Sequence, residues 1–213
     1  MTIREKHYAE ILLDIEAVSL SPEEPFTWSS GLKSPIYCDN RLTMSYPELY
    51  RDIINGLVDL VRENYPDATA IAGTATAGIP HAALIADRLE LPMVYVRDKA
   101  KGHGKGNQIE GRLAEESKVV MVEDLISTGG SVIRAAQAVK DAGFEVLGAV
   151  AIMTYQLPIG TNNFREAHLS HYTLTNYENL VDVASQNPEL AKFQDSLLTW
   201  HQDPQAWSEA HTH

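Results

Sequence analysis

Short apolar runs alternate with segments of helical spacing along most of this chain. Apolar runs rich in β-branched residues recur at 68–72, 93–96, 119–122 and 145–153. Between them, apolar residues return every three or four positions, which is the pattern of an amphipathic helix. Strands that alternate with helices form parallel sheets with helices on both faces. The pattern therefore predicts an α/β protein with a doubly wound, mainly parallel sheet flanked by helices.

The N-terminal part is less regular. Residues 3–18 have apolar positions near helical spacing and predict a helix that packs on the body. Short strands are predicted at 26–28 and 36–38, around Ser29-Ser30-Gly31. Pro47 stands at a favoured helix start, and helical spacing continues from it to Arg62.

The C-terminal part predicts one more strand and several helical pieces. A short strand is expected from Ser170, followed by a helix that a capping box at 175–178 would open. Two further helical pieces, around Leu190 and Trp207, are expected to close over the fold or to bind a partner.

The most informative segment follows the run at 119–122. Glu123 and Asp124 come next, and the turn 127–131 contains three hydroxyl side chains and two glycines ahead of a helix. In open α/β sheets, ligands bind beyond the carboxyl ends of the strands, and the free N–H groups of a helix N-terminus bind phosphate. The acids would repel a phosphate, so they are expected to face Mg²⁺ or sugar hydroxyls. A ribose 5-phosphate meets both demands; the alternative is two solvated acids before an ordinary helix.

Residues 97–108 form a second candidate site. The segment has almost no apolar residue, and its glycines and cations suit a mobile lid that closes on an anion such as pyrophosphate. Its basic residues are Arg97, Lys99, Lys101 and Lys105, with His103 as a further donor. The alternative is a solvated hairpin tip.

A third strand, small-residue turn and helix pattern lies at 70–80. Gly73 and Gly78 allow close approach of the backbone to a ligand, and Thr74 and Thr76 add hydroxyls. Tight packing between the strand and the helix would explain the same residues, so both interpretations stay open for this turn.

Composition limits the partners. The formal net charge of −12 opposes non-specific attraction to nucleic acid. Cys38 is the only cysteine, which excludes an internal disulfide and a cysteine-rich zinc site. No apolar stretch approaches the length of a membrane span, and residues 1–6 lack signal-peptide character, so we expect a cytoplasmic protein without a membrane partner.

Together these motifs resemble the type I phosphoribosyltransferases, and within them the orotate phosphoribosyltransferases, over most of the chain. Three segments carry the resemblance: residues 26–37 (FTWSSGLKSPIY), the lid residues 101–104 (KGHG) and residues 123–131 (EDLISTGGS). The last is typical of the whole superfamily, and the first two narrow it to the orotate enzymes. The resemblance implies one domain over 1–213, with a hood mainly within 1–45, a core of about 46–175 and C-terminal helices in 176–213.

The resemblance also implies the chemistry. Orotate and phosphoribosyl pyrophosphate would give orotidine 5′-phosphate and pyrophosphate in the synthesis of UMP, with Mg²⁺ as cofactor. It implies a homodimer in which the lid of one subunit completes the site of the other. Displacement would pass through an oxocarbenium-like transition state, with orotate already ionised at its ring nitrogen, so no covalent nucleophile is needed.

The site residues follow from the matching motif positions. The catalytic group would consist of Lys101, His103 and Asp124. Mg²⁺ would be held mainly through substrate, with Asp124 as the one protein group considered for contact. The expected ligands of phosphoribosyl pyrophosphate are Thr74, Ala75, Arg97, Lys101, His103, Glu123, Asp124, Leu125, Ile126, Ser127, Thr128, Gly129, Gly130 and Ser131. The expected neighbours of orotate are Tyr37, Cys38, Arg41 and Ser127.

The chain departs from the family pattern at several basic positions. Many relatives have a basic residue where this chain has Ser29, Ala77 or Asp98. An arginine for the orotate carboxylate, often found after the strand at 145–153, has no counterpart here. Arg41, or backbone N–H groups of the hood, would then take that role.

Two alternatives stay open from the sequence. One is a phosphoribosyltransferase for another base, against which residues 26–37 argue. The other is a regulator of the same fold that senses phosphoribosyl pyrophosphate and binds nucleic acid, although no basic helix-turn-helix is apparent.

Overall fold

The computed structural model describes residues 1–28, 31–99 and 108–211. The strands are β1 (Val18–Leu20), β2 (Phe26–Thr27), β3 (Lys33–Ser34), β4 (Ile36–Cys38), β5 (Ala70–Thr74), β6 (Met93–Val96), β7 (Ile109–Glu110), β8 (Lys118–Ile126), β9 (Glu145–Thr154) and β10 (His171–Asn176). The α-helices are α1 (Ile3–Asp14), α2 (Pro47–Asn64), α3 (Gly78–Leu89), α4 (Gly130–Asp141), α5 (Pro158–Glu166), α6 (Tyr177–Ala184), α7 (Pro188–Ala191), α8 (Gln194–Gln202) and α9 (Pro204–Ala210). A 3₁₀ helix covers Asn40–Ser45.

Six strands form the central sheet in the order β10-β9-β8-β5-β6-β7. All neighbouring pairs are parallel except β6 and β7, which are antiparallel. The predicted α/β fold with a mainly parallel sheet is confirmed. The strand order reverses at β5, because β6 lies on one side of it and β8 on the other. The carboxyl ends of β5 and β8 therefore flank the crevice in which this fold class binds ligands.

Two apolar clusters fix the sheet between its helices. One contains residues of α1, α2, α3 and α6, and the other contains residues of α4 and α5. Strands β5, β8 and β9 contribute to both clusters, because alternate side chains of a strand point to opposite faces. Burial on both faces explains the apolar runs within these strands.

The hood is built from both ends of the chain. Strands β1 and β4 pair antiparallel, as do β2 and β3. Helix α9 packs on β3, where the N–H of Lys33 donates to Ser208 Oγ at 2.8 Å. The rings of Trp28 and Trp200 meet edge to face, with centroids 5.8 Å apart. Helical pieces are thus present around Leu190 (α7 and α8) and around Trp207 (α9), and of these α8 and α9 contact the hood.

Three predicted elements are corrected by the structure. The first helix ends at Asp14 and not at residue 18, because Glu16 adopts a left-handed conformation (φ 57°) that leads into β1. Strand β8 does not end at 122; its pairing with β9 continues to Ile126, so Glu123 and Asp124 lie within the strand.

The third correction concerns the capping box at 175–178. Thr175 belongs to β10, and the cap of α6 is Asn176, whose side chain accepts the N–H of Asn179 at 2.9 Å. Asn caps a helix as well as Thr does, and the extension of β10 decides between the two positions. In the described part of the chain, no helix combines the length and the apolar character needed to cross a bilayer.

Candidate active site

The turn 127–131, called the phosphate turn below, joins β8 to α4. Gly129 adopts a left-handed conformation (φ 76°) at the N-cap of α4 and has no side chain to cap the helix, while the N–H of Gly130 makes only a long hydrogen bond, 3.5 Å, to Thr128 Oγ1. The N–H groups of the first turn of α4 can therefore bind an anion, at the positive end of the helix dipole. A small recess at this position is lined by Glu123, Leu125 and the whole phosphate turn. These features would suit a single phosphate, and the site itself stays a prediction.

Helix α5 holds the phosphate turn from behind. Asn163 Nδ2 donates to the carbonyl of Thr128 at 2.9 Å. A Cβ atom on Gly160 would lie 2.7 Å from the carbonyl oxygen of Ser127, and one on Gly129 would collide with the ring of Phe164. The turn is thus fixed in place before any ligand arrives. The sequence does not predict Asn163, Gly160 and Phe164 as site residues, since contacts between distant segments leave no local pattern.

Glu123 and Asp124 differ in their surroundings. Glu123 is 7% exposed, and one of its carboxylate oxygens accepts the N–H of Asp124 at 3.1 Å. Burial is the main cause that raises the pKa of Glu123 well above its ordinary value, and the neighbouring Asp124 adds to it. Asp124 is half-buried, and its carbonyl accepts Nδ2 of Asn40 at 2.8 Å. A buried carboxyl group beside a second acid is suited to gain hydroxyl or cation partners from a substrate.

A cleft of about 870 Å³ lies between the hood and this edge of the sheet. Its walls are mainly apolar and aromatic, and include Trp28, Tyr37, Leu125 and Tyr155. Ser127 also lines it, so the cleft opens directly onto the phosphate turn. A volume of this size and character suits a small planar ligand held beside the phosphate recess.

Cys38 and Asn40 connect the hood to the acids. Cys38 lines the cleft, and its thiol donates to Oδ1 of Asn40 at 3.1 Å. Burial, with smaller contributions from Asp124 and Asp39, raises the pKa of the Cys38 thiol far above its ordinary value. The group therefore stays a neutral thiol and acts as a small wall residue.

Arg41 is not among the residues that line the cleft. Its guanidinium pairs with Asp39 through two contacts, Nε to Oδ1 at 2.7 Å and Nη2 to Oδ2 at 3.0 Å. None of the described residues that line the cleft is a lysine or an arginine. The expected contact of Arg41 with orotate stays a prediction.

The base of the lid meets the end of β5. Arg97, Thr74 and Ala75 line one recess together with Ser131 of the phosphate turn. Arg97 Nε lies 3.1 Å from Oε1 of Glu110, so the arginine is oriented by β7. Lys101 and His103, expected at the pyrophosphate, lie outside the described residues.

The loop after β9 is held by the C-terminal helices. His201 Nε2 makes hydrogen bonds with the carbonyls of Tyr155 and Gln156, at 2.8 and 3.1 Å. The side chain of Gln156 accepts the N–H of Glu178 at 3.2 Å, so it caps α6 instead of facing the cleft. The loop in which relatives often place an arginine therefore has a structural role here.

His81 on α3 is a buried titratable group that no sequence pattern indicates. It is fully buried, and Nδ1 makes a hydrogen bond with the hydroxyl of Tyr50 at 2.8 Å. Burial lowers the pKa of His81 to about 4, and Asp124 opposes this only in part. The histidine is thus neutral in the folded protein at neutral pH.

This burial predicts acid sensitivity. On acidification the unfolded chain binds a proton at His81 before the folded protein does, so the free energy of unfolding should fall between the two pKa values. From about pH 7 to about pH 4.5 the expected contribution is roughly 2–3 kcal/mol. Urea unfolding at both pH values should show a smaller loss for His81→Gln than for the wild type. His168→Gln, at an exposed position, is the control and should keep the wild-type loss; an equal loss in His81→Gln would contradict the prediction.

Comparison with known proteins agrees with this geometry. Residues 45–185 match the family model of the phosphoribosyl transferase domain. The chain is 57% identical over 208 residues to an orotate phosphoribosyltransferase of Enterococcus faecalis, covering 97% of this chain and 99% of that protein. It is 56% identical over 199 residues to that of Bacillus subtilis, covering 93% and 92% of the two chains.

A solved structure supports the same assignment. The crystal structure of orotate phosphoribosyltransferase from Aeropyrum pernix superposes with a TM-score of 0.74 at 27% identity, over 84% of this chain and 98% of that one. The phosphate turn, the acids and the cleft occupy the crevice that this fold uses for ligands. The chain therefore belongs to the orotate phosphoribosyltransferase family of pentosyltransferase enzymes.

Proposed function

We propose that this site transfers the 5-phosphoribosyl group of phosphoribosyl pyrophosphate to orotate, giving orotidine 5′-phosphate and pyrophosphate in pyrimidine synthesis. One observation carries the proposal: Leu125, Ser127 and Thr128 line both the phosphate recess and the aromatic cleft. A sugar phosphate in the recess and a planar base in the cleft would therefore contact the same three residues and lie next to each other. The names and the high identity of the relatives support orotate as that base.

The residues divide the work by chemistry. The N–H groups and hydroxyls of the phosphate turn bind the 5′-phosphate, while Glu123 and Asp124 accept the ribose hydroxyls. The ring nitrogen of orotate forms the new bond to the anomeric carbon as the bond from that carbon to pyrophosphate breaks. The electron pair of the broken bond leaves with pyrophosphate, and no proton transfer is required. Positioning and charge stabilisation are thus the main sources of catalysis.

A divalent cation could bind at this site mainly through the phosphates of the substrate, with the carboxyl groups of Glu123 and Asp124 nearby. In the described residues, no group of three or more His, Cys, Asp or Glu side chains converges as a metal cage would require. Mg²⁺ commonly keeps several waters and binds through one or two carboxylates plus substrate phosphates, which Glu123 and Asp124 beside a pyrophosphate would allow. When bound, Mg²⁺ would neutralise charge on the departing pyrophosphate.

Cations of the lid complete the proposal. Arg97 lies at the pyrophosphate side of the crevice, next to Thr74 and Ala75. Lys101 and His103 are assigned to the same group by their motif positions. A homodimer in which the lid reaches the neighbouring site is part of this proposal, and the cytoplasmic location stays a prediction.

Tyr37, Cys38 and Ser127 form the proposed base subsite, since all three line the cleft. Because Cys38 is held as a thiol donor to Asn40, it contributes shape and not charge. The ring of Tyr37 lies 5.6 Å from that of Phe26, measured between centroids, which places an aromatic wall at the entrance.

One assay tests the proposed function. The protein is given phosphoribosyl pyrophosphate and Mg²⁺ with orotate, uracil, adenine or hypoxanthine in separate reactions, and release of pyrophosphate is measured. We expect release with orotate alone. Release with a purine or with uracil, and none with orotate, would overturn the assignment.

A further inference from the structure

Arg134 lies in the second turn of α4 and reaches back over the phosphate turn. Its Nη1 atom lies 3.1 Å from the position that a Cβ atom on Gly130 would occupy. Long side chains on helices point towards the helix N-terminus, which is the direction seen here. The guanidinium therefore lies beside the first residue of α4, at the end of the helix where anions bind. Neither the acid pair nor the phosphate turn requires this side chain.

The same side chain borders the pyrophosphate side of the crevice. Arg134 lines a recess together with Thr74, Ala75, Arg97 and Ser131. This recess joins the end of β5, the base of the lid and the start of α4. Arg134 is thus a second guanidinium, besides Arg97, at the place where the proposed substrate carries most of its negative charge.

Arg134 pairs with Asp98 in the structure. The Nη2 atom lies 3.2 Å from Oδ1 of Asp98, and both side chains are 63% exposed. Exposed ion pairs contribute only about 0–1 kcal/mol. A guanidinium binds phosphate groups through two parallel, charge-assisted hydrogen bonds, which are stronger. The pair with Asp98 is therefore easily exchanged for a polyphosphate.

The backbone at Asp98 is held in place by hydrogen bonds between Gln108 and residues 97–98, the two ends of the lid segment. The side-chain amide of Gln108 donates to the carbonyls of Arg97 and Asp98, at 3.1 and 3.2 Å. The N–H of Arg97 donates to the carbonyl of Gln108 at 2.9 Å. The carboxylate of Asp98 thus stands beside the crevice, where it attracts Arg134 and competes with any anion for it.

We propose that Arg134 is a further ligand of the pyrophosphate group, and that Asp98 pairs with Arg134 until the substrate binds. The inference rests on the proposed function, because it takes phosphoribosyl pyrophosphate as the substrate. Binding exchanges the Arg134–Asp98 contact for contacts between Arg134 and the pyrophosphate oxygens. Asp98 therefore competes with the substrate for Arg134 and weakens substrate binding; it does not position Arg134 for binding.

Four proteins test this exchange: the wild type, Arg134→Gln, Asp98→Asn and the double variant. Calorimetry measures the binding of inorganic pyrophosphate with Mg²⁺, and kinetics give KM for phosphoribosyl pyrophosphate and for orotate. Arg134→Gln should weaken pyrophosphate binding and raise KM for phosphoribosyl pyrophosphate by at least about 10-fold, because a hydrogen-bonded charge is lost. KM for orotate should change by less than about 2-fold, since Arg134 lies outside the cleft.

The Asp98→Asn variant decides between a competitor and a brace. Removing a competing acid should tighten pyrophosphate binding by about 2- to 5-fold. The double variant should match Arg134→Gln alone, because Asp98 acts only through Arg134. If Asp98→Asn weakens binding as Arg134→Gln does, the pair is a structural brace and the inference fails. It also fails if Arg134→Gln binds pyrophosphate like the wild type.

Arg62→Gln is the matched control for loss of one exposed positive charge. Arg62 lies on α2, where its side chain is 61% exposed and pairs with Asp59. It should leave both KM values and pyrophosphate binding unchanged. The pyrophosphate measurement needs no base, so its outcome is separate from the orotate assay. A wild type that binds pyrophosphate but uses no orotate would contradict the proposed base and leave the role of Arg134 to be judged by its own variants.

Discussion

Glu123→Gln is expected to lower kcat/KM for phosphoribosyl pyrophosphate by roughly 10- to 100-fold, because an amide nitrogen, which cannot accept a hydrogen bond, replaces one of the two carboxyl oxygens facing the ribose hydroxyls. The same change should stabilise the ligand-free protein by roughly 1–3 kcal/mol at about pH 8, since a buried carboxyl group beside a second acid is replaced by a neutral amide of the same shape. Steady-state kinetics and thermal unfolding measure the two effects. Opposite directions of change would show that this acid is kept for binding at a cost in stability.

The stability effect has a defined pH dependence. The pKa of Glu123 is raised in the folded protein, chiefly by burial and then by Asp124. As pH rises, the unfolded chain therefore loses this proton first, and the wild-type free energy of unfolding falls. Glutamine does not titrate, so the advantage of the variant should be larger at about pH 8 than at about pH 5. Glu115→Gln, at an exposed position, should show no such change; a variant no more stable than wild type at about pH 8 would contradict the prediction.

Gly78→Ala is expected to lower kcat/KM by about 100-fold, because it moves the turn after β5 away from the end of β8, and both belong to the site. Gly78 is the first residue of α3, and a Cβ atom there would collide with the carbonyl oxygen of Val122 on β8. Val122 is paired with Gly73 on one side and Val150 on the other, so the strand cannot move away. Helix α3 must shift instead and carry the turn after β5 with it. Overpacking of this kind should also cost about 1–3 kcal/mol of stability.

Gly143→Ala separates the loss of geometry from the loss of stability. Gly143 adopts a left-handed conformation (φ 93°), but no atom lies within 4 Å of the position of its Cβ. Alanine there should cost about 1 kcal/mol through backbone strain and leave kinetics unchanged, because the residue follows the far end of α4. Kinetics are measured well below the melting temperature of each variant. If Gly78→Ala keeps wild-type kcat/KM, the two turns do not need their present spacing.

Local patterns predict the sheet well and the edges of the elements poorly. Strand β6 has the predicted ends, Met93–Val96, because it is a short apolar run between polar segments. The prediction for strand β8 ends four residues too early, because two acids interrupt the apolar run. Pairing with β9 up to Ile126 keeps the acids within the strand. Pairing partners of this kind lie far apart in the chain, so no local pattern reports them.

Within the site, the contiguous motif can be predicted from the sequence, whereas residues that reach it from other segments cannot. The acids and the phosphate turn are contiguous in sequence, and the chemistry of these neighbouring residues is enough to indicate a sugar phosphate. Arg41 is predicted as a neighbour of orotate because it is a cation close to the hood motif; the structure adds that its guanidinium pairs with Asp39, and its contact with orotate stays a prediction. Arg134 is not predicted, because a single arginine in a helix carries no signal in the sequence.

The sequence by itself therefore determined the fold class, the substrate class and the contiguous motif 123–131, because each depends on local periodicity or on neighbouring residues. Only the tertiary structure decided what surrounds that motif. It placed Asn40 on Asp124, α5 behind the phosphate turn and Arg134 opposite Asp98. The physical reason is that burial, ion pairing and close backbone packing arise between segments distant in sequence, and these contacts set the charge and the shape of the site.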